Sequence, residues 1–176
     1  VAIVDHTRSD VEQEMRKLHA AGVRGFRIHP LSKEELGWSK HDGMRKIWTT
    51  ALDLEIPVCP LIDAKYLPEL DAMCEEFPHT ECVIDHFART GIDGTIHDKD
   101  LNNLSRLARH KKTFVKISAY YALGHKKPPH DELIGLFLTP HERRGRAVDF
   151  DRQIIQPAVR DLADGDHRQR VVVETN

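Results

Sequence analysis

Short apolar runs recur along this chain at intervals that suit alternating strands and helices. Six of them are VAIVD (1–5), VRGFRI (23–28), PVCPLI (57–62), ECVID (81–85), TFVKIS (113–118) and RVVVET (170–175). They are rich in β-branched residues, and most are apolar on both faces, the composition of parallel strands covered from both sides. TFVKIS departs from the rule because Lys116 stands between Val115 and Ile117.

Between these runs the apolar period lengthens from two to about 3.6 residues, the helical value. Val11, Met15 and Leu18 predict a first helix, with Ser9 and Glu12 at capping-box spacing and Gly22 placed to end it. Ile47, Trp48, Ala51 and Leu54 predict a second, and Leu67, Leu70, Cys74 and Phe77 a third. Leu101, Leu104, Leu107 and Ala108, entered from Asp100, predict a fourth. Ile154, Ile155, Ala158, Val159 and Leu162 predict a fifth, kinked or opened by Pro157.

Each of the first four strand-to-strand intervals holds one β-helix-β unit, and the last, from 113 to 170, holds two such units or one with an insertion. This alternation predicts an α/β fold with a parallel sheet. No Gly-x-Gly-x-x-Gly and no phosphate loop follows a strand, which argues against a nucleotide-binding doubly wound fold. The expectation is a (β/α)8 TIM-type barrel, one domain over 1–176, and incomplete because six or seven strands cannot close eight. The chain starts on VAIVD without Met and stops on VVVETN, so it reads as a piece of a longer protein that lacks the first strand and the C-terminal end.

Composition narrows the function. With 40% apolar and 31% charged residues, the 176-residue chain reads as a soluble globular domain with a sizeable core. Lys plus Arg number 26 against 28 Asp plus Glu, a net charge of −2, which gives no footprint for nucleic acid or an acidic membrane. Cys59, Cys74 and Cys82 are odd in number and lack Cys-x-x-Cys spacing, which suits packing residues in a reduced, cytoplasmic compartment. Residues 124–146, with His125, His130 and His141 among Lys, Arg and Pro, read as a solvated loop insertion that could serve as a lid.

Ligands of such folds bind at the carboxyl ends of the strands. Here those ends carry Asp5-His6, then Arg27 with His29, then Asp63, then Asp85-His86 with Arg89 beyond, then Lys116, Ser118, Tyr120 and Tyr121, and finally Glu174-Thr175-Asn176. One polar strand end is commonplace, but six on one rim predict a site for a small molecule. Lys116 is costly to bury without a partner, so it is expected to face the barrel mouth, towards an anion or a carboxylate such as Asp85.

Taken in order, GVRGFRIHP (22–30), VIDHFAR (83–89), TFVKISAYYAL (113–123) and RVVVETN resemble the amidohydrolase-related (amidohydrolase 2) barrel family. The nearest branch is that of 2-pyrone-4,6-dicarboxylate lactonase and the sugar lactonases, with aminocarboxymuconate-semialdehyde decarboxylase more distant. The resemblance implies that His86 is the family's strand-five histidine, a metal ligand in metal-dependent members. It also implies that Lys116 and Ser118 line the substrate pocket. No His-x-His stands upstream of VAIVD, and Glu174-Thr175-Asn176 occupies the place of the family's Gly-Ser/Thr-Asp. The Asn176 amide could orient a water but not deprotonate it.

The expected activity is hydrolysis of a small carboxylated lactone or related cyclic ester by water. His86, Lys116 and Asn176 are the candidate catalytic groups, and Arg27, His29, Arg89, Ser118, Tyr120 and Tyr121 the candidate substrate-binding ones. Either no cofactor or one divalent metal, zinc or manganese on His86, would be used. The alternatives are a metal-dependent decarboxylase or hydrolase, and a catalytically inactive barrel. Exposed edge strands would favour self-association into a homo-oligomer.

Overall fold

A computed structural model describes residues 1–30, 37–116, 118–128 and 130–133 of the chain. The predicted last strand (170–175), the fifth helix, Asn176 and the greater part of the 124–146 segment lie outside the described residues.

Five of the predicted strands form, in one parallel sheet ordered β1-β2-β3-β4-β5. They are β1 (Ala2–Ile3), β2 (Phe26–Ile28), β3 (Val58–Pro60), β4 (Cys82–Ile84) and β5 (Thr113–Val115), shorter than the apolar runs that contain them. The first four are each followed by an α-helix: α1 (Val11–Ala20), α2 (Asp42–Asp53), α3 (Leu67–Glu76) and α4 (Asp98–Arg106). Spatial order equal to chain order is that of a barrel wall built by repeated βα units. Among the described residues no helix is long and apolar enough to cross a membrane.

The helices form where the period of 3.6 placed them, because their apolar stripes cover one face of the sheet. Val11, Met15, Ile47, Trp48, Ala51, Leu67, Leu70, Leu101 and Leu104 are all buried. Fully burying a large apolar side chain stabilises by about 1.5–3 kcal/mol, so this layer holds the fold. Gly22 ends α1 as expected: at φ 103° it donates to His19 O, while Val23 donates to Leu18 O, a Schellman closure. Gly43 is needed in the first turn of α2, where any Cβ would strike the carbonyl of His6.

Two details depart from expectation. Ser9 and Glu12 form no capping box; Asp10 is the N-cap of α1 and makes no side-chain cap bond. The Arg8 guanidinium has taken the Asp10 carboxylate instead, at 2.9 and 2.7 Å. The fourth helix begins at Asp98, not after Asp100, and Leu107 and Ala108 fall in a 3-10 turn beyond it.

Ion pairs run along the outside of the helical layer. Arg16–Asp53 joins α1 to α2 at 2.9 Å, Arg45–Glu76 joins α2 to α3 at 2.8 Å, and Arg106–Asp71 joins α4 to α3 at 3.3 Å. Asp71 also meets Arg109 at 3.0 Å and His110 at 2.8 Å.

Candidate active site

Side chains alternate across a strand, so the register sorts the sheet into two faces. Phe26, Ile28, Val58, Cys82, Ile84 and Val115 point to the helices and are buried. Ile3, Arg27 and Cys59 stand in one inner row, continued by Val83 and Phe114. One step further along the strands, the same parity brings Asp5, His29, Leu61, Asp85 and Lys116 to the inner rim, with Ser118 above Lys116.

Arg27 and Asp85 meet across this face. Arg27 Nε donates to Asp85 Oδ2 at 3.0 Å and Nη2 approaches the same oxygen at 2.9 Å. The carboxylate is almost fully enclosed, 3% exposed, while the guanidinium is 28% exposed. Cys59 lies in the strand between them and feels both charges. Burial and the Asp85 carboxylate push its thiol up to about 11, against the smaller opposing pull of Arg27 and Lys116. Arg27 was expected to bind substrate; two of its donors are instead engaged in compensating a buried carboxylate. This is the carboxylate that Lys116 was expected to answer.

Strand β4 ends in an unusual turn. His86, Phe87, Ala88 and Arg89 all have left-handed backbones, with φ of 51°, 54°, 52° and 53°. For L-residues this conformation costs roughly 1–2 kcal/mol each, and none of the four is glycine. Phe87 and Ala88 are buried, and the Thr90 hydroxyl donates to Phe87 O at 2.8 Å. The turn brings His86 to the segment after β5, where its Nδ1 lies 2.8 Å from Ser118 Oγ. Arg89 ends near Asp63, beyond β3, at 3.3 Å.

The sequence-predicted residues therefore gather in part. His86 and Ser118 touch, Arg27 and Asp85 pair, and Lys116 stands just after β5, its N–H donating to Ile84 O at 2.8 Å. His29 shares the inner face, but its Nδ1 sits 3.1 Å from the carbonyl of Pro30, as donor to a neighbour. Tyr120 and Tyr121 lie on the 3-10 turn Tyr120–Ala122, and Tyr121 is 66% exposed. Thr90 was not singled out by sequence reasoning; a threonine one residue past Arg89 carries no periodic signal.

Among the described residues no three His, Cys, Asp or Glu side chains converge on a point that could hold a metal ion. His86 is the imidazole at the site, Asp85 is bonded to Arg27, and His29 is turned to the backbone. Among the described residues this donor set does not make up a metal centre.

Five parallel strands in sequential order, the first four each followed by an α-helix, with polar residues collected at their carboxyl ends, define a TIM-barrel-type α/β protein with a candidate active-site rim. The family model for amidohydrolases matches residues 2–164, and the chain belongs to that family. No curated protein matches the chain. Among solved structures it is similar to a probable 2-pyrone-4,6-dicarboxylic acid hydrolase from Acinetobacter baumannii with citric acid bound. That likeness has a TM-score of 0.67 at 25% identity, over 87% of this chain and 54% of that one. It is also similar to an amidohydrolase from Burkholderia multivorans, with HEPES bound, at TM-score 0.57 and 15% identity, over 68% of this chain and 44% of that one. A zinc-bound form of that amidohydrolase gives a TM-score of 0.56 at 16% identity, over 68% of this chain and 43% of that one. The chain thus spans about half the length of the structures it resembles.

Proposed function

We propose that the protein is a hydrolase that opens a small carboxylated lactone, or a related cyclic ester, by attack of water on the ring carbonyl. The observation that carries this reading is the 2.8 Å contact between His86 Nδ1 and Ser118 Oγ at the carboxyl ends of two neighbouring strands. With Nδ1–H donating to Ser118, the imidazole is held in the tautomer whose Nε2 carries the basic lone pair, and Nε2 acts as the base. The water oxygen bonds to the carbonyl carbon while its proton passes to Nε2. The bond from that carbon to the ring oxygen then breaks, and the imidazolium returns the proton to the departing oxygen.

Lys116 and Arg89, on the flanking segments, supply positive charge for the developing oxyanion and for a substrate carboxylate. Arg27 acts indirectly, holding the Asp85 carboxylate in place under the rim. Family membership and the likeness to a probable pyrone-dicarboxylic acid hydrolase support the same substrate class.

The test is turnover by the full-length protein of 2-pyrone-4,6-dicarboxylate and of a pyrone without carboxyl groups, followed by loss of ring absorbance. The dicarboxylate should be hydrolysed, and the uncarboxylated ring roughly 100-fold more slowly, because it offers the site's cations no carboxylate to bind. Equal rates would overturn the carboxylate reading. No turnover of either would favour an inactive barrel.

A second reading, a hydrolase or decarboxylase using one divalent metal, is favoured by the zinc-bound relative. Elemental analysis of full-length protein purified without chelator tests it. About one zinc or manganese per chain, with activity lost on chelation, would replace the metal-free mechanism.

A further inference from the structure

The outermost residues of β4 set up a problem of direction. Val83 and Asp85 face inward, so strand alternation would send residue 86 outward, into the helical layer. Ser118 lies beyond the end of β5, the strand that neighbours β4 on the sheet. His86 nevertheless reaches Ser118. What turns it is the backbone: at φ 51° and ψ 47° the chain leaves the strand with the opposite hand. Nothing in the residue types favours that path, since the first glycine after the strand is Gly91.

We propose that the left-handed turn at 86–89 is a positioning device, and that Thr90 is the positioning residue that holds it. This rests on the role given to His86 above. Two anchors over-determine the turn. Before it, Asp85 is buried and fixed by Arg27. After it, the fully buried Thr90 donates twice to the carbonyl of Phe87, from its hydroxyl at 2.8 Å and its N–H at 3.1 Å. Phe87 and Ala88 fill the core between the anchors, so the turn cannot flip without emptying it. The strain fixes which way His86 points and which ring nitrogen bonds Ser118.

Three variants of the full-length protein separate this from a merely structural role. Thr90→Val removes the hydroxyl and keeps the shape, Thr90→Ser keeps the hydroxyl, and Ala88→Gly relieves the left-handed strain. The readout independent of turnover is the tautomer of His86, from long-range proton–nitrogen NMR with the signal assigned by its loss in His86→Gln. The native protein and Thr90→Ser should show one tautomer, protonated on Nδ1. Thr90→Val and Ala88→Gly should show a mixture, although Ala88→Gly should melt higher than the native protein.

On a lactone that the native protein turns over, kcat should fall about tenfold to 100-fold in Thr90→Val and Ala88→Gly, with KM within about twofold. Ala88→Gly raising the melting temperature with tautomer and kcat unchanged would overturn the proposal. So would a single tautomer in Thr90→Val. If His86→Gln itself keeps full activity, the role of His86 fails, while the tautomer measurement still decides whether the turn orients it.

Discussion

The two faces of the sheet are built from opposite materials. The helix-facing side presents Phe26, Ile28, Val58, Cys82 and Ile84, each at most 2% exposed. The inner side presents Arg27, Asp85, His86, Lys116 and Ser118, together with a neutral thiol at Cys59. Apolar burial on the first face supplies stability without choosing a reaction. On the second, every polar group must find a partner or face a ligand, and the partners found (Asp85 for Arg27, Ser118 for His86) determine what each can do. Apolar packing and polar pairing are thus divided between the two sides of the same sheet.

Substitutions on the two faces should therefore fail in different ways. The largest loss of stability belongs to the outer face. Phe26→Ala should lower the unfolding free energy by about 3–5 kcal/mol, read from the urea midpoint, because the site is closed on all sides. Arg27→Met, next to it on the inner face, should cost about 3 kcal/mol by stranding the Asp85 carboxylate, and adding Asp85→Asn should restore most of that. A loss that the second substitution did not repair would mean that Arg27 contributes packing alone.

Cys59 ties the inner face to pH. Its thiol is raised from 9.0 to about 11, so its contribution is fully present below the unfolded value and lost as pH climbs through that window. Across pH 9 to 11 the native protein should lose about 2 kcal/mol more than Cys59→Ala does, measured by melting at each pH. Parallel curves would show that the thiol is not desolvated. The smallest effect belongs to the exposed ion pairs between helices. Arg16→Ala should change stability by about 0.5 kcal/mol or less, and less again in high salt.

How much of this could be read in the sequence follows the same division. The five described strands and four helices were legible because each buries an apolar face with its own period. The cap of α1 was misread because capping boxes are defined by spacing, whereas a neighbouring cation, Arg8, had first claim on the Asp10 carboxylate. His86 and Ser118 stood out in the sequence as candidate site residues, but not as partners, since their contact joins positions 32 residues apart. The Arg27–Asp85 pair spans 58 residues and crosses an intervening strand at its small residue, Cys59. The left-handed turn was illegible for a different reason. A run of positive φ normally announces itself by glycine or asparagine, and HFAR contains neither.

The most direct measurement is kcat/KM together with the melting temperature of full-length His86→Ala, on a carboxylated lactone hydrolysed by the native protein. The division of labour predicts a loss of about 10²–10⁴ in kcat/KM with the melting temperature almost unchanged, since His86 serves the reaction and not the core. Near-native turnover, or a collapse of stability without a specific loss of activity, would contradict it.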